Sequence, residues 1–426
     1  MAIEHVEPAK HLRGSVRVPG DKSISHRALL ISALASGTSV ISGLSRGMDV
    51  AATSAIITQL GADVRHDDGD VVVNGPHDGL VASRQILNCE NSGTTIRLLC
   101  GVLAGVEGRH ELVGDASLSK RPMDRVAIPL EQMGARVIGE GVRRTPPLSV
   151  VGHRTLVAID YDVPQPSAQV KSAILFAALS ASGVTTVRER VRTRTATEDM
   201  FSKSGIAVRS LDEASGRRIT IEPGRPLAQH WRVPGDPSQA AFFGVLAAIH
   251  RDASLEVLSL DASAERVGFV GVLQRMGAKV ELVEHDTYTS LRAESSVLRA
   301  SEVHAHEIPS VDEVPILAVA ATAASGVSVF RDMGELRIKE SDRFEGSIRL
   351  ATALGARAWT EGDDIFVEGL GGAEHFNVFT FDATLDHRMV MAASVAGCAG
   401  RGASILGAET VASSYPTFFR DLALLQ

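Results

Sequence analysis

The sequence has little cysteine and few aromatic residues. Its 426 residues include three cysteines, Cys89, Cys100 and Cys398, and no two of them form a CxxC pair. An odd number of cysteines without paired spacing argues against a disulfide framework and against a four-cysteine zinc site. No HExxH or EF-hand pattern occurs either. We therefore expect buried, reduced thiols and no metal.

Long apolar runs and an excess of positive charge are also lacking. No run reaches the roughly 18 apolar residues that a membrane span needs, and 22% of residues are charged. This composition predicts a soluble, folded chain. The opening MAIEHVEPAK contains acidic residues and no apolar core, which predicts no secretory signal and a cytoplasmic location. A net charge of −8 disfavours nonspecific nucleic-acid binding.

One pattern recurs six times, consisting of a polar turn, an apolar helix, small residues with glycine and a β-branched strand. The copies begin with PGDKSISHRALL, NCENSGTTIRLL, VPQPSAQVKSAI, VPGDPSQAAFFG, IPSVDEVPILAV and FDATLDHRMVMA. Their start points, with Pro309 marking the fifth, recur about every 72 residues. Such self-similarity is typical of a fold built from repeated supersecondary units.

Each copy continues with a second helix that stops at a glycine and leads into a strand, because glycine favours the helix C-cap. The sixth copy ends before that glycine, so we expect the strand-like residues 3–18 to complete it. The pattern predicts an α/β fold with two pseudo-threefold domains, each of three helix-and-sheet units. We place the N-terminal domain at residues 20–233 and the C-terminal domain at residues 1–19 plus 234–426. The PGD turns at Pro19 and Pro234 would form a hinge between them.

Charged and polar residues break the repeat at two equivalent phases, which are the starts of the first and second helix of each unit. The first phase carries Lys22, Ser23, Arg27, Asn91, Gly93, Thr94, Ser167, Gln169, Lys171, Asp312, Glu313, Asp386, His387 and Arg388. The second carries Arg121, Arg194, Lys339, Glu340 and Arg343. Lys339 and Arg343 are four residues apart, which predicts one helix face. Because helix starts bind anions, these cations predict a site for polyanionic small molecules.

Each of these residues also has a simpler interpretation. An isolated lysine or arginine at a helix start is usually solvated, Asp312 could cap the following helix, Glu340 could pair with Lys339 or Arg343, and His387 could be structural. A repeat scaffold that binds proteins is an alternative for the whole chain. Residues 117–120, SLSK, match the SxxK motif of acyl-serine enzymes. The shared repeat phase favours a small-molecule site over these alternatives.

Six segments together, PGDKSISHRALL, NSGTTIRL, KRPMDR, SAQVKSAI, KESDR and DHRM, resemble the enolpyruvyl transferase family, and within it the enzymes that act on shikimate 3-phosphate. The resemblance covers essentially the whole chain, in order, and implies an active site in the interdomain cleft. The implied reaction transfers the enolpyruvyl group of phosphoenolpyruvate to the 5-hydroxyl of shikimate 3-phosphate and releases phosphate, on the shikimate pathway to chorismate and the aromatic amino acids. It requires no metal or cofactor. We expect a monomer whose partners are these two substrates and not nucleic acid or membrane.

The resemblance also implies residue roles. Asp312 would be the base for the reacting hydroxyl, and Glu340 and Lys22 would share the methyl-group and leaving-group proton transfers. The implied shikimate 3-phosphate contacts are Lys22, Ser23, Arg27, Ser167, Ala168, Gln169, Arg194, Asp312 and Lys339. The implied phosphoenolpyruvate contacts are Lys22, Gly93, Arg121, Gln169, Arg343 and Arg388.

Two features set this sequence apart within the family. Ser413 occupies the position of a lysine that some members use for phosphoenolpyruvate. NSGTT and SAQ match a branch described as more often tolerant of glyphosate, whereas the retained Gly93 predicts sensitivity. The alternative within the family is the sister enzyme that acts on UDP-N-acetylglucosamine. Its loop typically carries a catalytic cysteine, and residues 114–121, GDASLSKR, contain none.

Overall fold

The computed structural model describes residues 2–308 and 311–426, so the predicted start marker Pro309 lies outside the described residues. The chain packs as two compact units. The first, which we call the central unit, is Lys22–Val233. The second, the discontinuous unit, combines the residues up to Asp21 with Pro234–Gln426.

Along the described residues, successive helices are separated by one to three strands. The helices are α1 (Lys22–Leu34), α2 (Met48–Gln59), α3 (Gly93–Ala104), α4 (Asp124–Gln132), α5 (Ala168–Ala178), α6 (Ala196–Lys203), α7 (Pro237–Ile249), α8 (Gly268–Arg275), α9 (Val314–Ala323), α10 (Arg343–Ala353), α11 (His387–Ala399) and α12 (Phe418–Ala423). The strands are β1 (Ile3–Val6), β2 (Leu12–Val16), β3 (Thr38–Ser42), β4 (Asp63–Asp67), β5 (Asp70–Asn74), β6 (Leu87–Asn88), β7 (Gly108–Val113), β8 (Arg136–Glu140), β9 (Thr145–Gly152), β10 (Asp160–Val163), β11 (Thr185–Glu189), β12 (Val208–Glu213), β13 (Gly216–Ile221), β14 (His230–Arg232), β15 (Ala253–Leu260), β16 (Lys279–Glu284), β17 (Thr289–Glu294), β18 (Glu302–His304), β19 (Ser325–Arg331), β20 (Arg357–Glu361), β21 (Asp364–Leu370), β22 (Phe379–Asp382) and β23 (Ala403–Leu406).

The central unit repeats one sheet topology three times. Its sheets have the strand orders β14-β3-β5-β4, β6-β7-β9-β8 and β10-β11-β13-β12. In each, the first pair is parallel and the other two pairs are antiparallel. This identical pairing confirms the repeat that was predicted from the sequence.

The discontinuous unit has the same plan, and the N-terminal strands complete it. Two of its sheets have the orders β2-β15-β17-β16 and β18-β19-β21-β20. The third has the order β1-β23-β22, with β22 parallel and β1 antiparallel to β23. β1 thus takes the place that β5 takes in the first sheet of the central unit. Residues 3–6 thus complete the sixth copy, as predicted. The prediction is wrong for residues 12–16, because β2 pairs with β15 and completes the sheet of the fourth copy.

Buried helices fill the core of each unit. Every residue of α7 and α9 is buried, as is all of α11 except Ala399, and these three helices pack against one another. In the central unit α3 packs against α1 and α5. A helix buried on every side must be enclosed by other elements, and the sheets provide that enclosure.

The ends of the helices agree with the signals in the sequence. The glycines that follow the second helices have positive φ values, at Gly61, Gly134, Gly205, Gly277 and Gly355. Residues with a Cβ rarely adopt this conformation, so glycine ends these helices. The three cysteines are buried and unpaired, as predicted. No helix among the described residues is long and apolar enough to span a membrane.

Gly20 and Asp21 belong to the discontinuous unit, whereas the sequence analysis assigned them to the other domain. Gly20 bridges to Gly235, and Asp21 Oδ2 lies 2.6 Å from Arg266 Nη2. The same nitrogen lies 2.6 Å from Asp236 Oδ1. All three charged side chains are buried, and although burial opposes the charged form, Asp21 and Asp236 raise the pKa of Arg266 above its usual value. Arg266 therefore joins the two PGD turns.

Candidate active site

The start of α1 gathers the first set of predicted site residues. Lys22 Nζ donates a hydrogen bond to Asp49 Oδ2 at 2.8 Å. The buried Arg27 donates from Nε to Thr197 Oγ1 at 2.6 Å and from Nη2 to Ser172 Oγ at 2.8 Å. These bonds fix the guanidinium of Arg27 against α5 and the first turn of α6. The position of Arg27 is thus set before any ligand arrives.

Arg194 approaches the same helix start from the segment before α6. Its Nη1 donates to Ser23 Oγ at 3.4 Å. Arg27 Nη1 donates to the carbonyl oxygen of Ser23 at 2.9 Å, so both arginines contact this residue in the first turn of α1. Two guanidinium groups beside a helix start favour the binding of a phosphate.

A chain of buried polar groups, which the sequence analysis missed, joins α1 to α2 and α3. His26 Nδ1 lies 2.8 Å from Thr53 Oγ1, which lies 2.8 Å from Thr95 Oγ1. Thr95 Oγ1 in turn donates to Ser92 Oγ at 2.7 Å. Burial, reinforced by Lys22, lowers the pKa of His26 well below its usual value, so the imidazole is neutral at neutral pH. The chain fixes three helix starts relative to one another.

The starts of α3 and α5 carry the next set of predicted site residues. Ser92 and Ser167 cap these helices by accepting hydrogen bonds from Thr95 N and Val170 N. Gly93 and Ala168 are the first helical residues. Gln169 connects the two helices, because its Nε2 donates to Thr94 Oγ1 at 3.0 Å and its Oε1 accepts from Arg97 Nη1.

Arg121 lies directly beside Gly93. A Cβ added to Gly93 would lie 2.9 Å from Arg121 Nη1. Arg121 Nη2 donates to Asn91 Oδ1 and to Ser117 Oγ, both at 3.2 Å. Ser117, the nucleophile in the acyl-serine alternative, thus accepts a hydrogen bond from an arginine.

Lys171 differs from the other cations that were predicted at the start of the first helix of each unit. Its side chain is fully buried and lies 3.0 Å from Glu189 Oε2 and 2.7 Å from Glu198 Oε1. Its place in the repeat predicted a candidate anion contact. The structure instead places its charge between two carboxylates of the protein.

Arg343 is the centre of a charged cluster in the discontinuous unit. It is fully buried, with Nε 2.8 Å from Asp386 Oδ2, Nη1 2.9 Å from Asp312 Oδ1 and Nη2 2.7 Å from Glu340 Oε2. Burial opposes its charge, but Asp386, Glu340 and Asp312 outweigh this and raise the pKa of Arg343 above its usual value. One guanidinium thus orients three carboxylates.

Asp312 precedes α9 and lies among cations. Its Oδ2 is 3.4 Å from Arg388 Nη2. Burial favours the neutral acid, but Arg388, Lys339 and Arg343 outweigh this effect and hold the pKa of Asp312 far below its usual range. The N-cap of α9 is Glu313, so the interpretation of Asp312 as a simple cap is wrong. Asp312 is an ionised, oriented carboxylate.

The prediction that Lys339 and Arg343 share a helix face is wrong. Asp342 caps α10 by accepting from Glu345 N, so this helix begins only at Arg343. Lys339 instead follows a short 3-10 helix (Met333–Ile338), and its Nζ lies 2.8 Å from Glu335 Oε1. Lys339 still contributes to the low pKa of Asp312. The other interpretation of Glu340, as a partner of Arg343, is confirmed.

Asp386 has two structural roles at the start of α11. It accepts a hydrogen bond from Arg388 N at 2.9 Å, and it binds Arg343 through both carboxylate oxygens. Next to it, His387 Nδ1 lies 3.1 Å from Ser413 Oγ. Ser413 is therefore joined to the same helix start. Among the described residues, no group of three or more histidine, cysteine, aspartate or glutamate side chains could hold a metal ion.

Solved structures with similar folds are known. An EPSP synthase from Acinetobacter baumannii matches with a TM-score of 0.86 and 35% identity, covering 99% of this chain and 97% of that one. The enolpyruvyl transferase NikO from Streptomyces tendae matches with a TM-score of 0.78 and 18% identity, covering 99% of this chain and 97% of that one. The second match shows the fold alone, which is the fold of an enolpyruvyl transferase.

Sequence comparison identifies the family within that class. Residues 6–422 match the family model of EPSP synthase (3-phosphoshikimate 1-carboxyvinyltransferase). The 3-phosphoshikimate 1-carboxyvinyltransferase of Streptococcus mutans is 40% identical over 422 residues, 97% of each chain. That of Streptococcus thermophilus is 40% identical over 426 residues, again 97% of each chain. The chain therefore belongs to the EPSP synthase family.

Replacing Asp386 by asparagine tests the charged cluster around Arg343. Asparagine keeps the helix cap but removes the charge that faces a buried guanidinium. We expect Asp386→Asn to lower the free energy of unfolding by about 1–3 kcal/mol, because Arg343 loses one charged hydrogen-bond partner but keeps Asp312 and Glu340. The measurement is urea unfolding followed by circular dichroism.

The matched control is Asp342→Asn, which changes the exposed cap of α10. Asparagine caps nearly as well as aspartate, so we expect little change in stability. Equal losses in the two variants would show that the pairing of Asp386 with Arg343 contributes nothing beyond capping.

Proposed function

We propose that this protein transfers the enolpyruvyl group of phosphoenolpyruvate to the 5-hydroxyl of shikimate 3-phosphate and releases phosphate. Membership of the EPSP synthase family over residues 6–422 supports the reaction. The observation that carries the residue assignments is that the predicted contacts lie at helix starts, with Asp312 and Glu340 oriented by Arg343. The cytoplasmic location and the monomeric state stay predictions.

The central unit would bind shikimate 3-phosphate. Arg27 and Arg194 beside the start of α1 supply guanidinium groups for its phosphate, with Ser23 between them. Ser167 Oγ accepts from Val170 N, so its hydroxyl proton can be donated to a ligand oxygen. The remaining proposed contacts are Lys22, Ala168, Gln169, Asp312 and Lys339.

Phosphoenolpyruvate would bind to a second set of cations. Gly93 leaves room beside the guanidinium of Arg121, and backbone N–H groups at the start of α3 favour an anion. Arg343 and Arg388 contribute two further guanidinium groups, both of which contact Asp312. Lys22 and Gln169 are the remaining proposed contacts of phosphoenolpyruvate.

The chemistry requires two opposite proton movements. Protonation of the methylene carbon makes the adjacent carbon electrophilic, the 5-hydroxyl attacks that carbon, and its proton goes to a base. The resulting tetrahedral intermediate then loses a methyl proton and expels phosphate. We assign Asp312 as the base for the hydroxyl, and Glu340 and Lys22 as the groups that move the methyl and leaving-group protons.

The environment of Asp312 explains how a weakly basic carboxylate would serve as this base. In the free protein Arg388, Lys339 and Arg343 hold its pKa low, so it is ionised at neutral pH. When the negative charges of phosphoenolpyruvate bind these cations, their effect on Asp312 weakens and its pKa rises. Substrate binding would therefore raise the basicity of the carboxylate when a proton must be accepted.

A phosphate-release assay tests the reaction. Phosphoenolpyruvate is supplied with shikimate 3-phosphate, with UDP-N-acetylglucosamine or with no acceptor. We expect release only with shikimate 3-phosphate, since the matching family and relatives are all 3-phosphoshikimate enzymes. Release only with the sugar nucleotide would support the sister reaction, and release with neither acceptor would contradict both.

Asp312→Asn and Glu340→Gln test the proton assignments. We expect each change to lower kcat by about 100- to 10,000-fold, the range for loss of a general acid or base. The KM for phosphoenolpyruvate should not rise in Asp312→Asn, because that change removes a negative charge from a cluster that binds an anion. Steady-state kinetics measures both parameters.

The control for these variants is Glu345→Gln, an exposed change in the first turn of α10 that should keep normal kinetics. Near-normal kcat in both Asp312→Asn and Glu340→Gln would refute the assignment.

Gly93→Ala tests the proposed phosphoenolpyruvate contacts. The new methyl group would lie 2.9 Å from Arg121 Nη1, so the guanidinium must move. We expect the KM for phosphoenolpyruvate to rise about ten- to a hundredfold, with little change in the KM for shikimate 3-phosphate. Gly271→Ala on α8, where nothing lies within 4 Å of the new Cβ, should leave both values unchanged. A normal KM for phosphoenolpyruvate in Gly93→Ala would argue against this pocket.

A further inference from the structure

A fully buried lysine in the central unit has no part in the proposed mechanism. Lys171 lies in the first turns of α5, and its ammonium contacts Glu189 and Glu198 at 3.0 and 2.7 Å. Both carboxylates are themselves at least 96% buried. Three ionisable side chains therefore lie together inside the unit.

The two carboxylates flank the segment that carries Arg194. Glu189 is the last residue of β11, and Glu198 lies in the first turn of α6. Between them, Lys171 Nζ also donates to the carbonyl oxygen of Thr193 at 3.5 Å, and Thr193 Oγ1 donates to Glu189 Oε1. One ammonium thus holds both ends and the middle of residues 189–198.

The next residue of α5 fixes the same segment from the side of α1. Ser172 Oγ lies 2.7 Å from Thr197 Oγ1 and accepts from Arg27 Nη2 at 2.8 Å. Thr197 also accepts from Arg27 Nε. The first turns of α5 therefore determine where Arg194 and Thr197 lie relative to Arg27.

Stability alone does not account for this arrangement. A buried ion pair or triad often adds nothing over well-packed apolar residues of similar volume. What charges can provide is a defined geometry, because an ammonium between carboxylates from two elements fixes the distance between those elements. Here the elements are the two ends of the segment that carries Arg194.

We propose that Lys171 is a positioning residue for the binding of shikimate 3-phosphate. Through Glu189, Glu198 and the carbonyl of Thr193 it holds residues 190–195, so that Arg194 meets the phosphate beside Arg27. The inference rests on the proposed function. It adds a residue that never touches the substrate and yet sets the affinity for one of the two substrates.

The test is Lys171→Met, which keeps the length of the side chain and removes its charge. Binding of shikimate 3-phosphate alone is measured by isothermal titration calorimetry, and the fold is checked by circular dichroism. We expect an affinity weaker by about ten- to a hundredfold, as for a displaced binding group. In steady-state kinetics the KM for shikimate 3-phosphate should rise while kcat changes little.

Lys203→Met is the matched control, because Lys203 is exposed at the end of α6. It should bind like the wild type. A merely structural role for Lys171 would lower stability but leave the affinity of the folded variant unchanged, and that result would overturn the proposal.

Glu198→Gln keeps the test decisive if Lys171→Met does not fold. It retains the shape of the side chain and leaves Lys171 paired with Glu189. We expect a smaller loss of affinity for shikimate 3-phosphate, and an unchanged affinity would overturn the proposal. If the wild type itself does not bind shikimate 3-phosphate, the proposed function fails. If the wild type and the variants all bind it equally well, only the role of Lys171 is rejected.

Discussion

The structure of the discontinuous unit depends on helices that are buried along their whole length. α7 and α9 are buried at every residue, so no side of these helices is free to carry polar chemistry. Their ends are different, because the first turn of any helix leaves backbone N–H groups without intrahelical partners. Ser92, Ser167 and Asp386 each satisfy one of these groups. Polar residues therefore collect at helix starts, and the predicted site residues lie among them.

Buried cations held by several carboxylates are a second common feature. Arg343 contacts Asp312 and Asp386 from distant segments and Glu340 from just before its own helix. Arg266 and Lys171 each join two carboxylates in the same way. In all three cases one cation fixes the relative positions of segments that are distant in sequence. The charges of these clusters serve geometry, since each carboxylate is already oriented before a ligand binds.

The sequence was informative where local physics decides the structure. The repeat, the helix starts and the stops at glycines such as Gly61 depend on periodicity and backbone conformation. It was less informative where the partners of a side chain lie on other helices and strands. Nothing near Lys171 in the sequence shows that Glu189 and Glu198 neutralise it. The prediction that Lys339 lies on the helix of Arg343 failed because α10 begins only after its N-cap, Asp342.

The contacts of His26 and Asp49 could not be predicted for the same reason. His26 contacts Thr53 on α2, and Asp49 receives the ammonium of Lys22. Each contact joins side chains about 27 residues apart whose proximity follows only from the packing of α1 on α2.

The pairing of β1 has a consequence for the order in which the protein folds during synthesis. β1 pairs with β23, which follows the central unit in the sequence, and Ala2 N donates a hydrogen bond to Glu409 Oε2, 407 residues further on. The central unit lies entirely between these partners, so the ribosome completes it while β1 still has no strand to join. β1 must therefore wait for its partner strand until the central unit and β23 have been translated. The discontinuous unit closes last.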